Sequence, residues 1–386
     1  MIALVVLPIV AAFFLSSYLL AGCSVGDALP AATSATGGGP PIGQRIGFTV
    51  GDSFEKLSDS DLEASMADIA SLHVGWLRFE ISWTQAQPQG PDQYDWSQFD
   101  RIVAAANRHG IKLLANLTYT PQWARLPACA DAFQCAPADP AQFARFAGAA
   151  AEHFKADAVH YWEIWNEPNI VYFWKPKPDA RAYTELLKQT YMSIKRADPQ
   201  AVVISGGLSP VDTPQSTINP VVFLRSMYKD GAKNYMDAVG YHPYSFPALP
   251  SDVEKGNWWS AMSDLDPSLR SVMAAFGDSN KNIWGTEYGV PTAGPLGFAS
   301  EDLQKYSFAD AINEMSGKPW LATLFFHTYK DSGTDRSTIE DFFGVVRYDG
   351  SRKPAYYVIK QQLAGSGNKS PSPQETTSTG SGAHRG

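Results

Sequence analysis

The 386-residue sequence is poor in cysteine, has no excess of basic residues and contains no clear metal-ligand motif. Only three cysteines occur, and no spacing of Cys, His and acidic residues supplies a complete ligand set. We therefore expect neither a metal nor another cofactor. The 39 acidic residues outnumber the 31 Lys and Arg, which gives a formal net charge of −8. Because nucleic acids are recognised by clustered positive charge, this balance argues against a nucleic-acid partner.

The amino terminus lacks the positive charge that normally precedes an export signal. Residues 2–20 form an apolar run with no Lys or Arg before it, and small residues lead from this run to Cys23. The pattern resembles a bacterial lipoprotein signal, which implies that residues 1–23 are a signal or anchor and that Cys23 is acylated. A cleaved secretion signal and a plain apolar anchor are the alternatives. We expect export to the cell envelope, with the protein facing outward from a membrane.

The other two cysteines, Cys129 and Cys135, lie close together in a predicted loop. An oxidising compartment would allow them to form a local disulfide. A zinc site is the alternative, but the surrounding residues do not provide four ligands. We therefore predict a disulfide, in agreement with export.

Two segments lack hydrophobic periodicity. Residues 24–42 are rich in Ala, Gly, Pro and Ser and predict a flexible linker, and residues 365–386 predict a disordered tail. Between them, residues 43–364 alternate strand-like and helix-like segments, which is typical of α/β proteins with a parallel sheet. Eight such pairs predict a single (β/α)8 TIM barrel as the one catalytic domain. The predicted strands are 45–50, 75–81, 111–118, 159–165, 201–205, 236–241, 282–286 and 320–327.

Two of these strands end in a glutamate. The fourth leads into Trp165-Asn166-Glu167-Pro168, and the seventh ends in Thr286-Glu287-Tyr288. Functional residues of (β/α)8 barrels lie at the carboxyl ends of the strands, so both carboxylates are expected at one opening. Two carboxylates on strand ends, one to donate a proton and one to attack, are what a retaining glycosidase requires.

The two motifs resemble the clan A glycoside hydrolases, with families 39 and 5 as the closest likenesses. This resemblance implies that Glu167 is the general acid/base and Glu287 the nucleophile. It also implies that Arg78 of the second strand and Tyr244 after the sixth bind Glu287. The run Gly240-Tyr241-His242-Pro243-Tyr244 resembles the His-x-Tyr of the clan, which places His242 in the site. Asn166 should bond the sugar hydroxyl beside the reacting carbon.

Further residues are expected to line a carbohydrate cleft, since aromatic side chains after strand ends stack on sugars. The predicted substrate contacts are Trp83, Tyr119 and Trp123, with Trp174, Trp258 and Trp259 as candidates for distal subsites. Many clan members carry a tryptophan at the end of the eighth strand. Here His327 or Tyr329 must take that place. Glu163 and Glu80 are interpreted as partners of an interior arginine rather than as catalysts.

The sequence thus predicts an exported retaining glycoside hydrolase that acts on a polysaccharide or oligosaccharide. A transglycosylase with the same site is one alternative, because a sugar hydroxyl can intercept the same glycosyl-enzyme. A catalytically inactive, surface carbohydrate-binding barrel is the other. The presence of both Glu167 and Glu287 argues against it.

Overall fold

The computed structural model describes residues 40–213, 216–254 and 256–364. The predicted signal with Cys23, nearly all of the predicted linker and the 365–386 tail lie outside these described residues. Within them, no helix is both long enough and apolar enough to cross a bilayer. The predictions about membrane anchoring and the tail therefore stay predictions.

Eight parallel strands close into one barrel, with each strand paired to the next along the chain and the last paired to the first. The predicted (β/α)8 fold is confirmed. The barrel closes where Thr49 of the first strand pairs with His327 of the last. The strands are β1 (Ile46–Thr49), β2 (Trp76–Ser82), β3 (Lys112–Thr118), β4 (Tyr161–Asn166), β5 (Val202–Gly207), β6 (Ala238–Tyr241), β7 (Asn282–Tyr288) and β8 (Leu321–His327).

Helices follow the strands and cover the outside of the barrel. They are α1 (Asp59–Ala70), α2 (Trp83–Ala86), α3 (Ser97–Arg108), α4 (Pro140–Phe154), α5 (Ala180–Ala197), α6 (Pro220–Lys229), α7 (Leu269–Ala275), α8 (Glu301–Ser316) and α9 (Pro354–Ala364). The start of α4 shows why such segments are helical. The side chain of Asp139 accepts a hydrogen bond from the backbone of Ala141, and Pro140 occupies the first helical position.

An apolar plug fills the amino-terminal part of the barrel interior. It consists of Trp76, Leu114, Ile204, Ala238, Trp284 and Phe325. The rings of Trp76 and Trp284 meet edge-on with centroids 5.2 Å apart. Such interior layers make the barrel a packed core rather than a pore. The opening of the barrel therefore lies at the carboxyl ends of the strands.

Two loops at this opening are fixed by strong contacts. Cys129 and Cys135 form the predicted disulfide, and Phe133 within the closed loop packs edge-on against Tyr119 with centroids 4.8 Å apart. The loop after β8 is fixed by a buried ion pair in which Lys353 Nζ lies 2.7 Å from Asp331 Oδ1. Breaking the buried pair would leave an unpaired charge, and the disulfide is a covalent bond. Both contacts therefore restrict movement of their loops beside the opening.

Candidate active site

The carboxyl end of β4 has an unusual backbone. Trp165 and Glu167 have φ values of 72° and 44°, in the left-handed region that non-glycine residues rarely adopt. The turn at Trp165 breaks the strict alternation of side chains along the strand. The Trp165 ring therefore packs outside the barrel against Phe143 and Trp174, whereas Glu163 and Asn166 both reach the interior arginine. Strained backbone of this kind is concentrated at functional sites.

Arg78 of β2 joins three strands inside the opening. Its Nε donates to Glu163 Oε2 at 2.5 Å, its Nη1 to Glu287 Oε1 at 2.8 Å and its Nη2 to Asn166 Oδ1 at 2.9 Å. The arginine is 4% exposed, and Glu163 is completely buried. The predicted partnership of Glu163 with an interior arginine is therefore confirmed. The planar fork of donors fixes two carboxylates and one amide at once, which a lysine cannot do.

Glu287 of β7 is held in its ionised form. Burial alone would raise its pKa, but the charges of His242, Arg78 and His327, together with a hydrogen bond from Tyr244, lower the pKa to about 2. Tyr244 Oη donates to Oε2 at 2.9 Å, while Arg78 occupies Oε1. Each oxygen thus has its own donor. A carboxylate arranged in this way is ionised at neutral pH, as an attacking group must be.

His242 lies between the two glutamates. Its Nδ1 is 2.8 Å from Glu167 Oε1 and 3.6 Å from Glu287 Oε2. These two carboxylate oxygens are therefore separated by no more than the sum of the two distances, about 6.4 Å, which is compatible with the roughly 5 Å separation of carboxyl groups in retaining glycosidases. Burial lowers the pKa of His242, but the charges of Glu287 and Glu167 and the bond to Glu167 outweigh burial and raise it. The two carboxylates therefore favour the protonated form of the ring.

The end of β8 corrects one prediction. His327 is at the opening, where its ring contacts Phe343 with centroids 5.2 Å apart and its charge acts on Glu287. Tyr329, by contrast, is 6% exposed, packs on Phe48 and donates its hydroxyl to Asp68 on α1. The prediction that Tyr329 contacts substrate is wrong, because its ring belongs to the layer between barrel and helices.

Of the aromatic residues predicted to bind substrate after β2 and β3, one is likewise a core residue and two are partly exposed. Trp83 is completely buried, and its ring stacks on Phe146 of α4 with centroids 5.6 Å apart. The prediction that Trp83 binds sugar is therefore wrong. Trp123 is partly exposed and packs against Trp83, and Tyr119 is partly exposed with a pKa raised by burial and by the charges of Glu80 and Glu287. Tyr119 and Trp123 stay predicted substrate contacts.

The tryptophans proposed for distal subsites are mostly core residues. Trp174 is 3% exposed between Trp165 and Tyr183, and Trp259 is completely buried against Tyr288. Trp258 is partly exposed and remains a candidate. Large aromatic residues in these long loops therefore pack the loops onto the barrel before they provide any sugar platform.

Comparison with known proteins places the chain in a family. Residues 44–323 match the family described as cellulase (glycosyl hydrolase family 5). The chain belongs to this family. The match runs from just before β1 into β8 and includes both Glu167 and Glu287. The clan A resemblance predicted from the two motifs is thereby confirmed, and the protein is a glycoside hydrolase by family. No curated protein matches the sequence significantly.

Solved structures share the barrel of this family 5 chain at low identity. A family 39 glycoside hydrolase from the gut symbiont Bacteroides cellulosilyticus WH2 is 21% identical with a TM-score of 0.66, over 84% of this chain and 64% of that one. A monomeric β-xylosidase from Caulobacter crescentus CB15 is 18% identical with a TM-score of 0.63, over 83% and 68%. A family 39 enzyme from Xanthomonas axonopodis pv. citri is 20% identical with a TM-score of 0.63, over 84% and 67%. These likenesses support the fold alone, and this chain spans about two thirds of the length of these three enzymes.

Gly207, at the end of β5 in this family 5 barrel, has a role that the sequence prediction missed. Its backbone N donates to Glu163 Oε1 at 2.9 Å, and its carbonyl accepts from the backbone of Glu167 at 3.0 Å. A Cβ at this position would lie 2.2 Å from His242 Nε2 and 2.5 Å from Thr286 Oγ1. Only a glycine leaves room for the histidine beside Glu167. The Ser-Gly-Gly sequence was the available signal, but the predicted strand ended at Ser205.

Two further carboxylates at the opening were also missed as site residues. Glu80 lies on β2, where burial and the charges of Glu55 and Asp52 raise its pKa to about 8, against a smaller opposing effect of Arg78. No hydrogen bond joins Glu80 to Arg78, whose nitrogens bind Glu163, Glu287 and Asn166, so the predicted partnership is electrostatic only. Glu340, in the loop after β8, has a pKa raised to about 7 by burial and by the charges of Glu287 and Glu167. No local motif distinguishes Glu340 from a surface glutamate.

Proposed function

We propose that the protein is an exported retaining glycoside hydrolase that cleaves O-glycosidic bonds of a polysaccharide or oligosaccharide by double displacement. The observation that carries this proposal is that two neighbouring carboxylates have different hydrogen-bond partners. Glu287 is held ionised by Arg78 and Tyr244, whereas Glu167 is bonded to His242. Two carboxyl groups with separate environments and a small separation are the requirement for retention.

In the first step, a Glu287 oxygen attacks the anomeric carbon while Glu167 donates a proton to the glycosidic oxygen. The carbon–oxygen bond to the leaving sugar breaks, and a glycosyl ester forms on Glu287. The ester no longer carries the negative charge of Glu287. Asn166 is oriented by Arg78, so its amide nitrogen is available to the hydroxyl beside the reacting carbon. Hydrogen bonds at this hydroxyl strengthen as positive charge develops in the transition state.

In the second step, Glu167 acts as a base on a water molecule, which attacks the same carbon from the side that the leaving sugar vacated. The bond to Glu287 breaks, and its carboxylate returns to the donors of Arg78 and Tyr244. His242 is positioned to share a proton with Glu167 throughout, because its Nδ1 lies 2.8 Å from Oε1.

Export is part of the proposal because two independent features favour it. The apolar run at residues 2–20 is followed by Cys23, and the disulfide of Cys129 and Cys135 is stable in an oxidising compartment. We propose a lipoprotein at the cell envelope. Metabolic labelling with a fatty acid, compared between wild type and Cys23→Ala, tests the lipid, and equal labelling of both would contradict it.

The central experiment is hydrolysis of a panel of aryl glycosides by wild type and by Glu287→Gln. We expect turnover of at least one glycoside by wild type and a loss of roughly 10⁴-fold or more in the variant, because the amide cannot form the ester. Glu152→Gln, at an exposed position on α4, is the matched control and should be unchanged.

Three results would count against the proposal. Equal turnover by wild type and Glu287→Gln would remove the nucleophile assignment. Release of the product with inverted anomeric configuration, followed by NMR, would refute double displacement. Binding of oligosaccharides without turnover of any substrate would favour a binding barrel instead. Preferential transfer to an added sugar acceptor would identify the same chemistry as transglycosylation.

A further inference from the structure

The loop after β8 presents Glu340 at the catalytic opening. Glu340–Phe342 form a short 3-10 turn, preceded by the completely buried Ile339. The following residue, Phe343, has its ring centroid 5.2 Å from that of His327 and 6.2 Å from that of Tyr244. Because both of these side chains act on Glu287, the turn lies directly beside the catalytic pair.

This loop is rigidly held. Lys353 Nζ is buried and donates to Asp331 Oδ1 at 2.7 Å and to the carbonyl of Phe342 at 3.2 Å. The Asp331 carboxylate in turn accepts from the backbone of Gly344 at 2.8 Å. The position of Glu340 is therefore fixed by the buried side chains of Ile339 and Phe343 on either side of the turn and by the bond from Lys353 to Phe342.

The carboxylate of Glu340 has no partner in the part of the chain that the structure describes. Neither a hydrogen bond nor an ion pair reaches it there, although its backbone N and O are both bonded. The charges that act on it are those of Glu287, Glu167 and Asp341, all of the same sign. Glu340 is partly exposed, and holding its carboxylate beside three others of the same sign without a counter-charge is unfavourable, so a bound ligand that supplies positive charge would stabilise it.

Further carboxylates lie around the opening, along an arc from β8 through β1 to β2. Glu80 is at the β2 end of this arc, and Asp52 and Glu55 lie after β1. Gln85 donates to Glu55 at 2.7 Å, and Lys56 forms an exposed pair with Asp52. Arg78 cannot neutralise the arc, because its nitrogens already bind Glu163, Glu287 and Asn166. The opening thus carries more carboxylates than its own cations balance.

We propose that the cleft selects a glycan with free amino groups, and that Glu340 binds the ammonium group of a sugar beside the scissile bond. This inference rests on the proposed glycosidase function and names the class of its substrate. An ammonium group places positive charge among Glu340, Glu167 and Glu287, whereas a hydroxyl or an acetamido group offers none. A uronic acid would be repelled by the same carboxylates. Glu80 is the second expected contact.

The test uses three β-1,4-linked hexasaccharides that differ only in the substituent at C2, which is amino, acetamido or hydroxyl. Their dissociation constants are measured by calorimetry at low ionic strength near neutral pH, with wild type, Glu340→Gln, Glu80→Gln and the exposed control Glu152→Gln. For wild type and the control, we expect the amino hexasaccharide to bind roughly tenfold more tightly than the other two. In Glu340→Gln this preference should fall to about twofold or less, while binding of the neutral hexasaccharides is retained.

Two results would overturn the proposal. One is equal or weaker binding of the amino hexasaccharide by wild type. The other is a preference that persists in Glu340→Gln, and if it persists in Glu80→Gln as well, it reflects only the net negative charge of the protein. Retained binding of the neutral hexasaccharides shows that the variants are folded. Because binding requires no turnover, failure of this inference is distinct from failure of the glycosidase proposal, which the aryl glycosides test.

Discussion

Replacing Arg78 with lysine would separate the charge of this residue from its geometry. Arginine bonds Glu163, Glu287 and Asn166 through three different nitrogens, and a lysine ammonium has only one. We expect the lysine to follow the completely buried Glu163, which has the greater need of a counter-charge. Glu287 then loses its nearest donor while the total charge of the site is unchanged.

The size of the effect follows from electrostatics. A unit charge about 4 Å from a carboxylate contributes about 4 kcal/mol at an effective dielectric constant of 20. Since about 1.4 kcal/mol corresponds to one pH unit, Arg78 lowers the pKa of Glu287 by up to about 3 pH units. Roughly doubling the distance halves this contribution, so the pKa of Glu287 should rise by about 1.5 pH units in Arg78→Lys.

The assay is the pH dependence of kcat/KM with the best aryl glycoside. Glu287 must be ionised to attack, so activity is lost as the pH falls through its pKa. In the wild type that pKa is about 2, so we expect the acid limb in Arg78→Lys near pH 3.5, shifted by about 1.5 pH units. At the optimum we expect kcat/KM to fall about 100-fold, because Asn166 loses its fixed orientation. Loss of a charged hydrogen bond should also cost about 2 kcal/mol of stability.

Arg101→Lys is the matched control. Arg101 Nε lies 2.6 Å from Asp59 Oδ1, a similar distance, but the aspartate side chain is 87% exposed. A solvent-exposed pair of this kind contributes about 0–1 kcal/mol, so activity and Tm should be unchanged. If Arg78→Lys remains folded and its acid limb stays within about 0.3 pH unit of wild type, Arg78 does not hold Glu287 ionised and the electrostatic argument fails.

Two further predictions concern Glu80 and Gly207. In Glu80→Gln, stability should rise at high pH, because a carboxyl with a pKa raised from 4.5 to about 8 stabilises the fold below pH 4.5 and loses that contribution as the pH rises through 8. Thermal unfolding should show a Tm of the variant higher than that of the wild type by about 2 °C or more at about pH 9, with little difference at about pH 5. No gain at high pH would contradict the raised pKa of Glu80. In Gly207→Ala, the added Cβ would lie 2.2 Å from His242 Nε2 and would displace the ring, so kcat/KM should fall at least about tenfold and stability by about 1–3 kcal/mol. Gly317→Ala, whose Cβ would have its nearest neighbour at 3.7 Å, is the control. Equal effects of the two substitutions would be inconsistent with the steric argument.

Elements with strong local signals could be predicted from the sequence almost to the residue. Helices α4 and α8 are examples, because a capping residue followed by proline or by acidic residues defines where each begins. Strands β5 and β7 extend two residues beyond their predicted ends. Glycines and polar residues there weaken the strand pattern, and pairing with neighbouring strands, which no local signal reports, continues the sheet.

The site was predictable where a residue type has few alternatives. Glu167, Glu287, Arg78 and His242 meet at the opening because each follows or occupies a strand whose position in the barrel is fixed. Aromatic residues were predicted less well, since Trp83 and Tyr329 serve the core. In the sequence, a tryptophan or tyrosine after a strand is equally compatible with a sugar-binding surface and with a layer that faces a helix. Where a helix packs above the ring, the large area that the ring buries favours the core position.

The remaining gap concerns the backbone at the end of β4, and it bears on how the chemistry is positioned. Period-two alternation would place Glu163, Trp165 and Glu167 on one face and Asn166 on the other. The left-handed φ of Trp165 instead sends its ring outward and lets Glu163, Asn166 and Glu167 all point into the opening. A regular strand could present Glu167 or Asn166 to the substrate, but not both. The strained turn is therefore what allows one strand to supply the proton donor and the amide beside it, while the Trp165 ring, buried between Phe143 and Trp174, stabilises that conformation.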